Sequence, residues 1–167
     1  MRRPMALTLA TLACLGAGAA WAMPKYRLQA IEQFHYDRGN PLWQYDRRVM
    51  ACTYCHVEPT GGAPWNPFGQ ALQAQFVADA AARSGAAPGG AGQAKKAQGD
   101  TFARVLYDRL KANGDADGDG YSDALEVFAH TLPGDPDSRP TQPLAELQKA
   151  FDAAGGVAMY APENAGK

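Results

Sequence analysis

Five consecutive residues, Cys52-Thr53-Tyr54-Cys55-His56, restrict this chain more than any other feature it carries. Two thiols three positions apart on one turn can reach the two vinyl groups along one porphyrin edge, and the next residue then sets an imidazole beneath the iron. The spacing therefore predicts a covalent haem c on Cys52 and Cys55, with His56 as the proximal iron ligand. Three other chemistries use similar residues. A thioredoxin-like redox pair needs a strand before the first cysteine, and no convincing strand pattern precedes Cys52. A zinc site would need His35 or His130 as a fourth ligand, and the adjacent Cys55 and His56 do not easily point at one ion. A structural disulfide would close too small a loop to stabilise much.

The compartment fits that chemistry. Residues 1–22, MRRPMALTLATLACLGAGAAWA, combine Arg2 and Arg3, a short apolar stretch and a small-residue ending at Ala20-Trp21-Ala22. This is the pattern of a secretory signal peptide, and Gly16 and Gly18 interrupt the run that a membrane anchor would need. Cys14 follows Ala13 but has Thr11 where a lipid-attachment signal carries a bulky aliphatic, and Arg2-Arg3 lacks the residues that surround a twin-arginine signal. Removing 22 of the 167 residues leaves 145, enough for one small domain. Of the three cysteines only Cys52 and Cys55 remain, and in an oxidising compartment such a pair needs an assigned chemistry. The expected location is the periplasm, the cell envelope or the exterior. Without Arg2 and Arg3 the basic residues number 14 against 17 acidic, a net charge of about −3 that argues against nucleic acid as a partner. No strongly apolar segment comes after residue 22, so no transmembrane anchor is expected in the mature chain.

Periodicity predicts a mainly α fold. Leu28, Ile31 and His35 share one face of a short helix before Asn40-Pro41. Asn66 reads as an N-cap with Pro67 at the first helical position, and Phe68, Leu72 and Phe76 recur every four residues in a helix ending near Arg83. Residues 84–99 contain no large apolar side chain and are expected to form an Ala/Gly-rich mobile linker between a haem-binding region, 23–83, and a second region, 100–167. There Asp100 or Thr101 should cap a helix with Phe102, Val105, Leu106 and Leu110 on one stripe. A short helix with Leu125, Val127, Phe128 and Leu132 should stop at Pro133-Gly134, and a last one from Thr141 to Ala154 should present Leu144, Leu147 and Phe151 and stop at Gly155.

The residues after the cysteine pair narrow the reading. His56-Val57-Glu58-Pro59-Thr60-Gly61-Gly62, then Trp65-Asn66-Pro67-Phe68-Gly69, resembles a group of bacterial single-haem cytochrome c-like proteins in which CxxCH precedes a Pro-x-Gly-Gly turn and an Asn-x-Phe/Tyr-Gly segment. The resemblance spans Cys52 to Leu72. It implies a small helical cytochrome-like fold with Cys52, Cys55 and His56 as haem residues, and it names no substrate. Gly61 and Gly62 would let the chain pass close to the ring, and Trp65 and Phe68 would either wall its edge or belong to the core. The distal ligand stays open among Met23, Met50, Met159, His35 and His130. Met50 lies too near Cys52 along the chain to reach the opposite face. Met159 best fits the downstream methionine of small class I cytochromes c, His35 comes next, and a five-coordinate iron is a further alternative.

A second motif occupies residues 115–126. Asp115, Asp117 and Asp119 stand at positions one, three and five of a twelve-residue EF-hand loop, Gly120 at the sharp turn, Tyr121 at the carbonyl position, and Asp123 and Glu126 at nine and twelve. The run also resembles the DxDGDGxxDxxE loops of bacterial extracellular proteins. Hard oxygens in this number suit calcium, and without a cation five carboxylates so close would repel one another. One unpaired loop in a calcium-rich exterior is expected to stabilise rather than to signal. The whole reads as an exported single-haem cytochrome that passes electrons to redox partner proteins and is not itself an enzyme. Two alternatives remain: an enzyme or a gas or peroxide sensor with an open iron position, and a calcium-dependent interaction module in which haem is structural.

Overall fold

The computed structural model describes residues 24–41, 43, 49–83 and 91–162. The leader pattern, Met23 and residues 84–90 lie outside them. Five α-helices carry the described chain: α1 Pro24–Gln33, α2 Pro67–Arg83, α3 Ala91–Lys111, α4 Asp123–Ala129 and α5 Leu144–Ala153. Single 3-10 turns cover Cys52–Tyr54 and Gly156–Tyr160. The only strand-like pairing among the described residues is an isolated bridge between His56 and Trp65, so the class is mainly helical, as the periodicity predicts. No helix of the described residues is long and apolar enough to cross a membrane.

The helix ends are set by local chemistry. The side chain of Asn66 accepts from the Gly69 amide at 2.8 Å, so it caps α2 as expected, with Pro67 in the first turn where its missing N–H costs nothing. Helix α1 closes differently from the expectation. The Tyr36 amide reaches back to the Ile31 carbonyl at 2.9 Å and His35 takes a left-handed φ of 50°, which turns its side chain off the face it would share with Ile31. Leu28 is also off that face, 64% exposed, while Ala30, Ile31 and Phe34 are buried. Helix α4 ends the same way, with His130 left-handed and the Thr131 amide on the Glu126 carbonyl at 2.9 Å. Leu132 therefore lies beyond the helix rather than inside it, and the stop comes before Pro133-Gly134. The last helix starts at Leu144, later than Thr141, and leaves Leu144 exposed while Leu147 and Phe151 are buried. Gly155 ends it at a φ of 112°.

The largest correction concerns the linker. Residues 91–99 belong to α3, which runs without a break through the expected caps Asp100 and Thr101. Ala91, Gln93, Ala94, Lys95, Lys96, Ala97 and Gln98 are all good helix formers, and a packed helical segment supplies the nucleus from which adjoining turns propagate. Absence of large apolar side chains, the basis of the linker reading, measures burial and not helicity.

Helix α3 packs against both α1 and α2. Tyr26, Phe76 and Phe102, one ring from each helix, meet with centroids 4.7 to 6.1 Å apart. A single core then joins Phe34, Tyr36, Tyr54 and Phe68 from the first half to Leu106, Leu110, Leu125, Leu147 and Phe151 from the second. Edge-on contacts among Tyr36, Tyr54 and Phe68 fill its centre.

Candidate functional site

The cysteine string sits where α2 begins. The Tyr54, Cys55 and His56 amides bond back to Ala51 and Cys52 carbonyls at 2.9 to 3.2 Å, which winds Cys52–Tyr54 into one tight turn. Tyr54 points inward and is buried, whereas Cys52, Cys55 and His56 are each only partly covered. Asn66 clamps this turn to the helix: its side-chain amide donates to the Thr53 carbonyl at 2.8 Å, and its backbone N–H to the Cys55 carbonyl at 3.2 Å. Gly69 completes the seat, because a Cβ there would come within 1.9 Å of the Cys55 carbonyl oxygen.

His56 is held in one orientation. Residues 57–64 loop out and return, with the Val57 amide on the Pro64 carbonyl at 3.0 Å, so that Trp65 stacks on the imidazole with centroids 4.1 Å apart. Gly61 and Gly62 take φ values of 79° and 82°, which L side chains rarely adopt, and this reversal brings the Gly62 carbonyl to Nδ1 of His56 at 2.5 Å. A carbonyl can only accept, so Nδ1 carries the proton, and in a neutral imidazole so held Nε2 is the nitrogen with the free lone pair, the tautomer a metal-binding imidazole needs.

The two sulfurs are free thiols in unlike surroundings. The Arg27 guanidinium of α1 donates to Cys52 Sγ at 2.9 Å. Burial, with a smaller contribution from Cys52, pushes the Cys55 thiol up to about 12. Arg27 was invisible to motif reading, since only the packing of α1 brings it to a cysteine 25 residues away.

Of the candidate distal residues, Met159 lies half-buried on the Gly156–Tyr160 turn, which packs on α3 and α5. The Gln33 side chain ties the Tyr160 carbonyl to the end of α1, and the Tyr160 ring lies 5.7 Å from His35. The fold thus brings His35 and Tyr160, the residue after Met159, together at one end of α1. Burial, then Arg38, holds the His35 imidazole below its usual range. Met50 is buried in the core, and His130 ends α4. Trp65 stands against the imidazole, whereas Phe68 is a core residue, fully buried among Phe34 and Tyr54.

The acidic loop is built by its own amides. Asp115 accepts from Gly118 at 2.7 Å and Gly120 at 3.0 Å, Asp117 from Asp119 at 3.2 Å, and Asp119 from Tyr121 at 2.8 Å. Asp115, Asp117 and Asp119 each offer an oxygen within 4.8 Å of the others. Behind them Glu126 is fully buried, and both its oxygens, like Oδ2 of Asp117 and Oδ2 of Asp119, have no hydrogen-bond partner among the described residues. Among the described residues the cation near Asp119 Oδ2 is the exposed Arg139, 3.9 Å away, too far for a hydrogen bond. Burial, and then Asp117, Asp119, Asp123 and Asp115, push the Glu126 carboxyl up to about 9. Unpartnered buried carboxylate oxygens are costly, and a hard cation or a proton removes that cost. The donor set suits calcium on both counts, oxygen chemistry and orphaned lone pairs.

Asp123, at position nine of the motif, has a protein partner on each carboxylate oxygen. Its Oδ2 accepts from Arg109 Nε of α3 and its Oδ1 from the Ala116 amide at 2.8 Å, so both oxygens are engaged by the protein itself. Tyr121 uses its side chain elsewhere, donating to the Gln142 carbonyl at 2.7 Å, which leaves it the backbone role the motif expects. Arg109 was also missed; its one signal is a position six residues before Asp115, on the helix that enters the loop. Comparison with protein-family models, with curated proteins and with solved structures finds no match to this chain.

Proposed function

We propose that this chain is an exported single-haem c-type cytochrome that carries electrons, with a calcium ion stabilising its second half. The observation that carries the reading is the bond from His56 Nδ1 to the Gly62 carbonyl directly after two free thiols. It leaves Nε2 as the ring nitrogen turned toward a metal, next to a turn that carries both cysteines.

In this reading Cys52 and Cys55 would hold the haem covalently, each S–H adding across one vinyl group to give a thioether, and Nε2 of His56 would be an iron ligand. A haem held there supplies an iron that cycles between two oxidation states. The residues around it do the rest: Gly62 fixes the imidazole, Trp65 shields its face, and Asn66 and Gly69 keep the string on α2. No Ser-His-Asp set or comparable catalytic constellation is legible in the sequence, which favours a carrier over an enzyme. Asp115, Asp117, Asp119 and Glu126, with the Tyr121 carbonyl, would hold calcium.

The test is expression in a host able to attach haem c, then acid-acetone washing and denaturing electrophoresis. A band that retains peroxidase stain, and a peptide mass raised by one haem, are expected. A colourless band with an unmodified Cys52–His56 peptide would end the haem reading. Carbon monoxide separates the alternatives: a low-spin iron that ignores it fits a carrier, and a high-spin iron that binds it fits a sensor or peroxide enzyme.

A further inference from the structure

The helix that enters the acidic loop brings a cation, Arg109, against the carboxylate of Asp123. Asp123 is fully buried and Arg109 is 19% exposed on its side chain, so their contact is largely shielded from water. Arg109 belongs to the last turn of α3, which enters the loop, and Asp123 opens α4, which leaves it. The Asp123 backbone N–H closes the same junction by donating to the Gly114 carbonyl at 2.8 Å. Gly114 is where the guanidinium crosses the chain, since a Cβ there would come within 2.7 to 2.9 Å of three of its atoms. Asp123 also grips the loop interior through the Ala116 amide. Three connections thus converge on one residue, and none of them needs a metal.

From this geometry we infer that Arg109 is a positioning residue: it withdraws Asp123 from the cation and locks the entering helix to the leaving helix. Asp115, Asp117, Asp119 and Glu126 are thereby gathered before any ion arrives. The inference rests on the calcium reading above and deepens it. Prior ordering of the loop removes a cost that binding would otherwise carry, so affinity depends on the lock. The planar guanidinium suits the task because it approaches a carboxylate in a fixed orientation, which an ammonium does not.

A simple electrostatic role predicts the opposite sign. A guanidinium beside a cation site repels the cation, so its removal should tighten binding if charge alone mattered. As a lock, its removal loosens binding. Four variants of the full chain decide between them: Arg109→Met, Arg109→Lys, Asp123→Asn and the Met/Asn double variant, each stripped of metal and titrated with calcium by calorimetry. We expect Arg109→Met and Asp123→Asn each to weaken calcium binding about tenfold or more. The double variant should be no weaker than the worse single one, because both remove the same contact. Arg109→Lys should also bind more weakly although it keeps the charge. Tighter or unchanged binding in Arg109→Met overturns the inference, as does a double variant whose loss is the product of the two singles.

A second measurement is independent of the metal. In chelator, the Ala116 amide of the wild type should resist hydrogen exchange, and in Asp123→Asn or Arg109→Met it should exchange at least about tenfold faster. Equal exchange overturns the lock. If the wild type takes up no calcium, the calcium reading fails together with the metal half of the inference, while the Ala116 amide still decides whether the lock exists. Should Arg109→Met not fold, Asp123→Asn carries both measurements, since it preserves the shape of the side chain.

Discussion

The cysteine string and the acidic loop are both short motifs, yet they complete themselves in different ways. The loop draws nearly everything it needs from within: amides of residues 118–121 order the carboxylates of residues 115–119, and Glu126 closes the set one turn into α4. The string depends on distant residues. Arg27 comes to Cys52 from α1, Asn66 and Gly69 come from α2 and its cap, and the distal candidates Met159 and His35 come from opposite ends of the described chain. A hard cation asks only for oxygens at a given distance, which one turn of chain can supply. A flat ring has two faces and an edge, and no single segment covers them.

The two regions nonetheless share one interior. Gly134, beyond the end of α4, lies so close to the Asn66 side chain that a Cβ would fall within 2.6 to 2.7 Å of its amide. Asn66 in turn holds Thr53 inside the string. The regions thus differ in side-chain chemistry and are joined in packing, and four measurements press on that contrast.

The largest effect belongs to the cysteines. Replacing both Cys52 and Cys55 by Ala should abolish covalent haem completely, as read by the spectrum of the washed polypeptide, while calcium still raises the melting temperature of the haem-free chain. Loss of the calcium effect in that variant would mean that the loop needs the haem side to form. Next is Phe68→Ala, which empties a fully buried site in the shared core and should cost about 3–5 kcal/mol. Trp65 fluorescence and a probe on the loop should lose structure in one coincident transition. Two separate transitions would break the single-core description. Gly134→Ala comes third, at about 1–3 kcal/mol, because the added methyl must displace the Asn66 side chain. Its signature is a lowered melting temperature together with a shifted spectrum of the haem-loaded protein, although the substitution lies on the side of the acidic loop.

The subtlest is a slope with pH in chelator. Burial first, then the neighbouring aspartates, raise the Glu126 carboxyl from 4.5 to about 9 in the folded chain. Between those values the folded state holds a proton that the unfolded state gives up, so stability is greatest below the lower value and falls as pH rises toward the upper one. Glu126→Gln should flatten that slope in chemical denaturation. In the presence of calcium the wild type should show the opposite trend, because the ion needs the carboxylate and competes with the proton. A slope that survives Glu126→Gln would assign the effect to another group.

The apolar stripes of α2 and α3 were legible because helical periodicity is a local property: Phe68 and Leu72, and Val105, Leu106 and Leu110, all lie buried as their spacing predicts. The capping of α2 by Asn66 was legible for the same reason. Readings failed where burial was inferred without a partner in view. Leu28 and Leu144 are apolar and exposed, and residues 91–99 lack large apolar groups yet form the start of α3. Helix ends set by left-handed residues, His35 and His130, were missed because neither is glycine or asparagine, the usual signal for that conformation.

The sequence by itself determined the chemistry on offer: two thiols and an imidazole at haem spacing, and a row of hard oxygens at calcium spacing, since bond reach along a short segment depends on residue order alone. Only the tertiary structure decided how those groups are held. It tied His56 Nδ1 to the Gly62 carbonyl, paired Asp123 with Arg109, and brought Tyr160, next to Met159, against His35 at one end of α1. Each of these depends on contacts between residues far apart in the chain or on a loop that closes upon itself, and such contacts are chosen by the packing of the whole core rather than by any local pattern.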